Sequence, residues 1–239
     1  MKHNTGLVDF HTHILPGMDD GSRNTEQTEC LLQAQREQGV ETILLTPHFY
    51  PTREDLHSFL KRREKAMTKM PVCDDIQFIL GAEVHYSNGM SQWSSLKELS
   101  WGDGYILVEM PSPPWSAHMY RELESIKREQ NLTPVLAHID RYVHPLCTFG
   151  MIKRLAQLPV LVQANSSFFL NPWTRHMALR LLKVGRIHLL GSDCHNMDRR
   201  PPNVKAAYEI IERHLGKETR ERLEHFSRLI VSSGAYTKQ

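Results

Sequence analysis

The chain has 239 residues, of which 29 are basic and 27 acidic, so its formal net charge is only +2. This length suits one α/β domain with a sizeable core, and we predict a single domain over residues 1–239 because no linker-like tract interrupts it. The balanced charge argues against nucleic acid as a partner. No apolar stretch approaches the roughly 18 residues of a membrane-spanning helix, and Met1 to Gly6 carries no hydrophobic signal core. We therefore expect a cytoplasmic protein without membrane insertion.

Short apolar, β-branched segments alternate along the chain with longer segments of helical period. This pattern predicts repeated βα units around a parallel sheet. The predicted strands, in chain order, are Gly6–His11, Glu41–Thr46, Gln77–Ala82, Gly104–Glu109, Thr133–Ala137, Val160–Gln163 and Ile187–Ser192.

Helices are expected in the intervals between these strands. The first follows a polar start at Ser22 to Glu26 and stops at Gly39, because glycine commonly ends a helix. Another begins near Asn171 and stops at Gly185, and Lys205–His214 and Glu218–Leu229 are two closing helices.

Two segments beside the strand ends are predicted to be loops. One runs from Phe49 to Met70, with its basic tract Lys61 to Lys65 interpreted as a solvated helix face. The other is the proline-rich Met110 to Trp115, which we predict to be rigid.

Histidines and carboxylates follow most of the predicted strands. They are His11 and His13, His48, Glu83, Glu109, His138, and Asp193 with His195. In a parallel barrel the carboxyl ends of the strands converge on one face, where enzymes of this architecture place their chemistry. We therefore expect these residues to meet.

The spacing within the first and last groups favours metal binding. Side chains alternate along an extended segment, so His11 and His13 share one side and can bind one cation together. An isolated pair of this kind is as often an ordinary pair of polar residues as a metal site. Asp193 and His195 repeat the same spacing at the last strand, and two such pairs are hard to explain by packing.

Glu83 and Glu109 end apolar runs, where a charge is costly unless it is paired or binds a metal. A buried ion pair with arginine is the alternative for each. Asp19 and Asp20 precede Gly21 in the first loop, and for Asp19 we favour a turn followed by a helix cap. A mixed nitrogen and oxygen ligand set suits Mn²⁺, Fe²⁺ or Zn²⁺ better than Ca²⁺.

Five motifs together resemble one protein family: HTHILPGMDDGS, TPHF, GAEVH, AHIDRY and GSDCHNMDRRPP, which run in order from about Val8 to Pro202. The chain resembles the PHP-type bacterial protein-tyrosine phosphatases of capsule and exopolysaccharide synthesis. The resemblance implies a distorted (β/α)₇ TIM-like barrel, a three-metal centre that usually holds Mn²⁺, and a phosphotyrosyl substrate on a bacterial tyrosine kinase. After Pro202 the close likeness ends.

The resemblance also implies a role for each matching residue. His11, His13, Glu83 and Asp193 would bind one cation, and Glu83 would bridge to a second cation held by Glu109 and His138. Asp20, His48 and His195 would hold the third, with Arg141 and Arg200 as phosphate-binding arginines. A surface ion pair with Asp140 is the alternative for Arg141, and a surface role is the one we accept for Arg199.

A cysteine-dependent tyrosine phosphatase would instead need a thiolate six positions before an arginine. Cys30 with Arg36 and Cys194 with Arg200 have that spacing, but neither segment contains glycines for an anion-binding loop. The four cysteines, Cys30, Cys73, Cys147 and Cys194, also lack CxxC spacing. We interpret them as reduced thiols.

The expected chemistry is attack on phosphorus by a hydroxide that the cations activate, with no protein nucleophile and no assigned general acid. Two alternatives remain open: a phosphatase of a small phosphomonoester such as histidinol phosphate, and a non-catalytic metal-binding regulatory module. The sequence does not fix the metal among Mn²⁺, Fe²⁺, Zn²⁺ and Mg²⁺. It is compatible with a symmetric homo-oligomer.

Overall fold

A computed structural model describes residues 6–102, 104–143 and 148–232. The strands are β1 Leu7–Thr12, β2 Val40–Leu45, β3 His48–Phe49, β4 Gln77–Leu80, β5 Glu83–His85, β6 Tyr105–Glu109, β7 Thr133–Leu136, β8 Leu161–Asn165 and β9 Leu189–Gly191. The helices are α1 Thr25–Glu37, α2 Leu56–Met67, α3 Ala117–Gln130, α4 Thr148–Leu155, α5 Ser166–Leu170, α6 Arg175–Lys183, α7 Val204–Leu215 and α8 Lys217–Ser232.

All the strands pair in parallel, in the orders β1-β2-β4 and β3-β5-β6-β7-β8-β9. The two sheets meet where β1 lies beside β9, with a parallel bridge between Thr12 and Cys194. Because β3 continues β2, and β5 continues β4, the strands occupy seven strand positions around a curled barrel. The predicted distorted (β/α)₇ architecture is confirmed, and each of the seven predicted strands is present.

Two of the seven strand positions hold an interrupted strand. Thr46 and Pro47 separate β2 from β3, and Gly81 and Ala82 separate β4 from β5. Proline has no backbone N–H to donate to a sheet, which suits it to a break. Backbone bonds still cross the gaps, since the Gly81 N–H donates to Leu45 (3.0 Å). The breaks bend the barrel rim and begin a new short strand just before the predicted site.

Two hydrophobic clusters fill the molecule. The inner cluster contains side chains from nearly every strand position, including Phe10, Leu44, Leu107 and Leu189. Ile230 and Val231 from the end of α8 join it and close the amino-terminal end of the barrel. The larger outer cluster lies between the strands and the surrounding helices. The two clusters thus surround the strands, and the predicted polar residues lie at the carboxyl-terminal ends of those strands.

The predicted loop from Phe49 to Met70 is wrong, because it contains helix α2. The Asp55 side chain caps this helix by accepting from the Ser58 N–H, and Phe59 and Ala66 are its buried residues. Its apolar residues are few but lie on one side, as in a surface helix. The tract at 61–65 is mostly exposed on the other side, as predicted.

The remaining predicted elements agree with the structure more closely. Helix α1 lies inside its predicted range, α7 and α8 match the two closing helices, and 110–115 is irregular. Helix α6 begins at Arg175, a turn later than predicted, because Asn171 Oδ1 accepts from the Trp173 N–H in a local turn. In the described part of the chain, no helix combines the length and apolar character needed to cross a membrane.

Candidate metal centre

The imidazoles of His11 and His13 form the middle of the site. Their Nε2 atoms lie 3.1 Å apart, which confirms that the two side chains share one side. The pairing of β1 with β2 is irregular between Asp9 and Thr12. Such irregularities change the direction of side chains, and here His11 faces the barrel interior.

Carboxylate oxygens surround these two nitrogens. Glu83 Oε2 lies 3.1 Å from His11 Nε2 and 3.4 Å from His13 Nε2, and Asp193 Oδ1 lies at 3.6 Å and 3.4 Å from the same atoms. Donor atoms bound at about 2.1 Å to one cation would stand roughly 3.0–3.4 Å apart. The four atoms therefore have nearly the spacing of ligands around one ion.

A second group shares Glu83. His138 Nε2 lies 2.7 Å from Glu83 Oε1 and 3.4 Å from Glu109 Oε1. Glu83 has 1% of its side chain exposed and contacts histidines, so the alternative of a buried ion pair with arginine is not what the structure shows. Glu109 does contact an arginine, Arg141 (3.2 Å), as well as His138.

The third predicted group lies at the mouth of the site. Asp20 Oδ1 lies 3.5 Å from His48 Nε2 and 3.3 Å from His195 Nε2, and the Asp20 side chain is 69% exposed. Together with His13, these residues form a four-membered set whose ligand atoms lie within 4.8 Å of one another. Every predicted metal-binding residue is thus in the same cluster.

Hydrogen bonds at the opposite ring nitrogen orient three of the histidines. His13 Nδ1 donates to Asp19 (2.7 Å), His195 Nδ1 to the Asp193 carbonyl (2.9 Å), and His11 Nδ1 lies 3.4 Å from Gln163 Oε1. Such bonds select the tautomer whose Nε2 carries a free lone pair for a cation. The three rings therefore present Nε2 as an acceptor, which in His195 faces the Arg200 guanidinium (2.8 Å).

Asp19 has a different role from the one predicted. It does form a turn, since Oδ1 accepts from the Gly21 N–H (3.0 Å). However, the cap of α1 is Asn24, so the cap prediction is wrong. Asp19 Oδ2 instead accepts from His13 and from the His48 N–H (3.0 Å). It is a carboxylate that fixes two predicted ligands.

Asp193 divides its two oxygens between the metal cluster and the arginines. Oδ1 faces His11 and His13, whereas Oδ2 accepts from Arg141 (2.8 Å) and forms an ion pair with Arg200. The suggested surface pair between Arg141 and Asp140 is not formed, because the Asp140 carboxylate accepts from the Asn165 N–H (2.9 Å). Both predicted phosphate-binding arginines lie at the edge of the cluster.

Arg199 is exposed, in agreement with its predicted surface role.

Asp193 and His138 both have left-handed backbones, with φ of 54° and 31°. Residues other than glycine are strained there, and such strain concentrates at functional sites. The surrounding packing thus holds both residues in unusual conformations within the predicted centre.

The charges of the cluster shift its pKa values strongly. Burial alone would raise the pKa of Glu83, but the charge of His11 and hydrogen bonds from His11, His13 and His138 hold it well below its usual range. Burial disfavours protonated His138, yet hydrogen bonds to Glu109 and Glu83 raise its pKa to about 9. The carboxylates are therefore ionised and attract positive charge, whether a proton or a metal ion.

Several buried atoms of the cluster make no hydrogen bond of regular geometry in the described part of the chain. They include Glu83 Oε2 and His48 Nδ1, which lie 2.9 Å apart, Asp193 Oδ1 and His138 Nδ1. Burying polar atoms without partners is costly. Divalent cations would satisfy these atoms, and the mixture of imidazole and carboxylate fits Mn²⁺, Fe²⁺ or Zn²⁺. The residues present therefore fit a metal centre.

The cysteines offer no competing site among the described residues. Cys194 is fully buried, and burial raises the pKa of its thiol to about 12. Cys30 lies exposed on helix α1, and Cys73 is also a free thiol, whereas Cys147 lies outside the described residues. Cys194 is therefore not prepared as a thiolate nucleophile, and Cys30 is not among the clustered metal-binding candidates of the described residues.

Sequence reasoning missed four further residues at the site. Two of them lie at the end of β8: Gln163 accepts from the His138 N–H (2.6 Å), and Asn165 donates to Asp193 Oδ2 (3.0 Å).

The other two lie after β3 and at the end of β5. His85 Nδ1 lies 3.2 Å from Glu109 Oε2, and the ring of Tyr50 packs against His48 and His85. Their position just after or within the strand ends was the only available signal.

A sequence model of the family described as capsular polysaccharide synthesis, CpsB/CapC, matches residues 7–227. The chain belongs to the CpsB/CapC family. The resemblance drawn from the five motifs is thereby confirmed.

Relatives of this CpsB/CapC protein are named tyrosine-protein phosphatases. CpsB of Streptococcus pneumoniae is 30% identical over 233 residues, which cover 91% of this chain and 94% of the relative. YwqE of Bacillus subtilis is 24% identical and covers 98% of this chain and 94% of its own.

Solved structures share the fold of this CpsB/CapC protein. One from a study of YwqE and CpsB, described as metal-dependent tyrosine phosphatases, has a TM-score of 0.80 at 22% identity, covering 98% of this chain and 97% of the other. The histidinol phosphate phosphatase of Lactococcus lactis has a TM-score of 0.52 at 15% identity, covering 97% and 94%. The barrel is thus common to phosphatases with different substrates.

Proposed function

We propose that this chain is a metal-dependent protein-tyrosine phosphatase of capsule or exopolysaccharide synthesis, built as a single domain over residues 1–239. The observation that carries the proposal is the convergence of imidazole nitrogens and ionised carboxylates, several of them buried without a hydrogen bond of regular geometry among the described residues. The tyrosine-protein phosphatase names of relatives that match over nine-tenths of the chain support it.

The proposed ligands form three overlapping groups. They are His11, His13, Glu83 and Asp193 for the first cation, Glu83, Glu109 and His138 for the second, and Asp20, His48 and His195 for the third. We propose Mn²⁺ as the natural metal, although Fe²⁺, Zn²⁺ and Mg²⁺ suit some of the same donors. Glu83 would belong to both of the first two groups, because its Oε2 faces His11 and its Oε1 faces His138.

Divalent cations, when bound, supply hydroxide near neutral pH and neutralise phosphoryl oxygens. The chain itself supplies the positioning. Asp19, Gln163 and the Asp193 carbonyl hold the imidazole rings, and Arg141 and Arg200 present planar guanidinium groups at the edge of the cluster. A guanidinium can contact two non-bridging oxygens of a phosphate at once, and it stabilises the charge that builds there.

A phosphotyrosyl ester suits a site without an assigned general acid. Its leaving group is a phenolate, and the reference pKa of tyrosine is about 10, so departure needs little proton donation. Asp20 and Arg141 are substantially exposed, so the mouth of the site is open to a tyrosine on another protein. We propose a bacterial tyrosine kinase as that protein, in the cytoplasm, and a homo-oligomer as the form of the phosphatase.

The proposal is tested by metal removal and restoration. The purified chain is stripped with a chelator, Mn²⁺, Mg²⁺ or Zn²⁺ is returned separately, and phosphate release is measured from a phosphotyrosyl peptide and from histidinol phosphate. Activity on the peptide that returns with metal and is lost in His11→Ala supports the proposal. Cleavage of histidinol phosphate alone would refute the substrate, and tight metal binding with no hydrolysis of either ester would refute the enzyme.

A further inference from the structure

Tyr50 and Arg53 form a paired structure at the rim of the metal cluster. The Tyr50 ring packs against His48 (5.2 Å between centroids) and His85 (5.4 Å), and the Arg53 guanidinium lies over the ring, 4.4 Å from its centroid. Tyr50 thus contacts the proposed ligand His48, and Arg53 contacts Tyr50 in turn.

A tight turn holds this pair together. The Arg53 N–H donates to the Tyr50 carbonyl (2.9 Å), and Pro51 occupies the second position of the turn, where its fixed φ is favoured. The two residues are therefore adjacent before any substrate arrives. A guanidinium stacked on an aromatic ring also keeps its plane while its edge stays free for hydrogen bonds.

The positive charge of Arg53 has no carboxylate partner among the described residues. The nearest acidic residue in sequence, Glu54, is already engaged by Arg62 through two contacts of 2.7 Å and 3.2 Å. Arg62 also donates to the Met18 carbonyl (3.0 Å), which ties the loop to the first βα connection. By contrast, Arg141 and Arg200 both contact Asp193. Arg53 is thus an exposed cation that remains available.

These positions match the parts of a phosphotyrosyl substrate. Only the ester oxygen separates the phosphorus from the phenyl ring, so a phosphate at the cluster places the substrate ring at the level of Tyr50. The peptide backbone and its neighbouring side chains then lie farther out, at the level of Arg53. Aromatic rings pair favourably in offset or tilted arrangements.

We propose that Tyr50 and Arg53 form a substrate-recognition wall, in which Tyr50 packs against the phosphotyrosyl ring and Arg53 pairs with a carboxylate on a flanking residue. This inference rests on the proposed phosphatase function. It assigns the chain a preference for phosphotyrosine in an acidic sequence.

The test uses the Mn²⁺-loaded full chain and two phosphotyrosyl peptides that differ only in Glu or Gln on either side of the phosphotyrosine. Wild type is expected to favour the Glu peptide about 2- to 5-fold in kcat/KM, the size of an exposed ion pair. Arg53→Gln should abolish the preference, whereas Arg180→Gln, which removes an exposed charge on helix α6, should retain it. High salt should also reduce the preference because it screens the pair.

Phenyl phosphate, which has no flanking residues, tests Tyr50 separately. Tyr50→Ala should raise its KM with unchanged metal content, and Tyr50→Phe, which keeps the ring, should restore the wild-type KM. Arg180→Gln, which lies outside the wall, should leave phenyl phosphate hydrolysis unchanged.

Equal wild-type rates on the two peptides, or a preference that survives Arg53→Gln, would overturn the inference while the phosphatase function stands. So would an unchanged KM in Tyr50→Ala. Wild type that cleaves neither peptide would instead refute the proposed function and, with it, the recognition wall.

Discussion

Replacing Asp19 by asparagine should weaken metal binding although Asp19 is not among the proposed ligands. The side chain is 7% exposed and accepts from His13 Nδ1, the His48 N–H and the Gly21 N–H. Asparagine keeps the shape but offers one oxygen instead of two. Its amide group therefore faces a donor, and the negative charge that orients the His13 ring is lost.

The magnitude follows from these contacts. Burial alone would raise the pKa of Asp19, but the charge of His13 and its hydrogen bond lower it below its usual range. Hydrogen bonds to charged groups contribute about 1.5–3 kcal/mol, and loss of a carboxylate behind a metal-binding histidine typically weakens affinity about 10- to 100-fold. We expect Asp19→Asn to lose Mn²⁺ affinity in that range.

Competition with a chelator of known affinity measures this loss. Asp74→Asn is the matched control, because Asp74 is an exposed aspartate outside the cluster. A melting curve of each variant without metal separates weaker binding from a damaged fold. Wild-type affinity in Asp19→Asn would show that the His13 ring does not depend on its carboxylate, and the argument for prepared tautomers would fail.

Three further outcomes are expected. Because the pKa of His138 is raised to about 9, a cation must displace its proton at neutral pH. Mn²⁺ affinity should therefore rise as pH increases from 6 to 9, and binding should release protons. Calorimetry in two buffers of different ionisation enthalpy detects this release. Cys194→Ser should keep most activity, and Cys194 should resist iodoacetamide at pH 8 by mass spectrometry, since its thiol is buried with a pKa of about 12. Gly191→Ala should abolish metal binding in a calorimetric titration, because a Cβ there would lie 2.5 Å from His11 Cβ. As a contrast, the Cβ of Gly150→Ala would meet nothing within 4 Å, so this change in helix α4 should raise the free energy of unfolding by about 0.5–1 kcal/mol.

The periodicity of the sequence was enough to predict the strands and the face on which the polar residues meet. Six of the seven predicted strands carry their own signal, since a histidine or carboxylate at the end of an apolar run is costly without a partner. The rule of convergence then brings together residues as distant as His11 and Asp193. These inferences need only local sequence and the general geometry of parallel barrels.

The residues that support the ligands were harder to predict. Asp19 and Gln163 act through contacts across the barrel, and nothing in their local sequence distinguishes them from turn or strand residues. The recognition wall is similar, because the contact between Tyr50 and Arg53 depends on a turn inside a segment read as a loop. The tract at 61–65 was interpreted as a helix face, but the bounds of helix α2 were not predicted because its charged residues outnumber its apolar ones. Asp55 and Phe59 carry the usual capping and packing signals.

The division of the Asp193 carboxylate has a consequence for how the protein responds to its own metal content. In the proposed centre, a cation held at Oδ1 would make Oδ2 a weaker acceptor, and Arg141 and Arg200 would be freer to turn toward a phosphate. Metal loading and anion affinity would then be positively coupled. Thermodynamic linkage makes such a coupling reciprocal, so a bound phosphate ester would retain the cations more tightly. The protein would lose metal most readily between turnovers and hold it most firmly while substrate is bound.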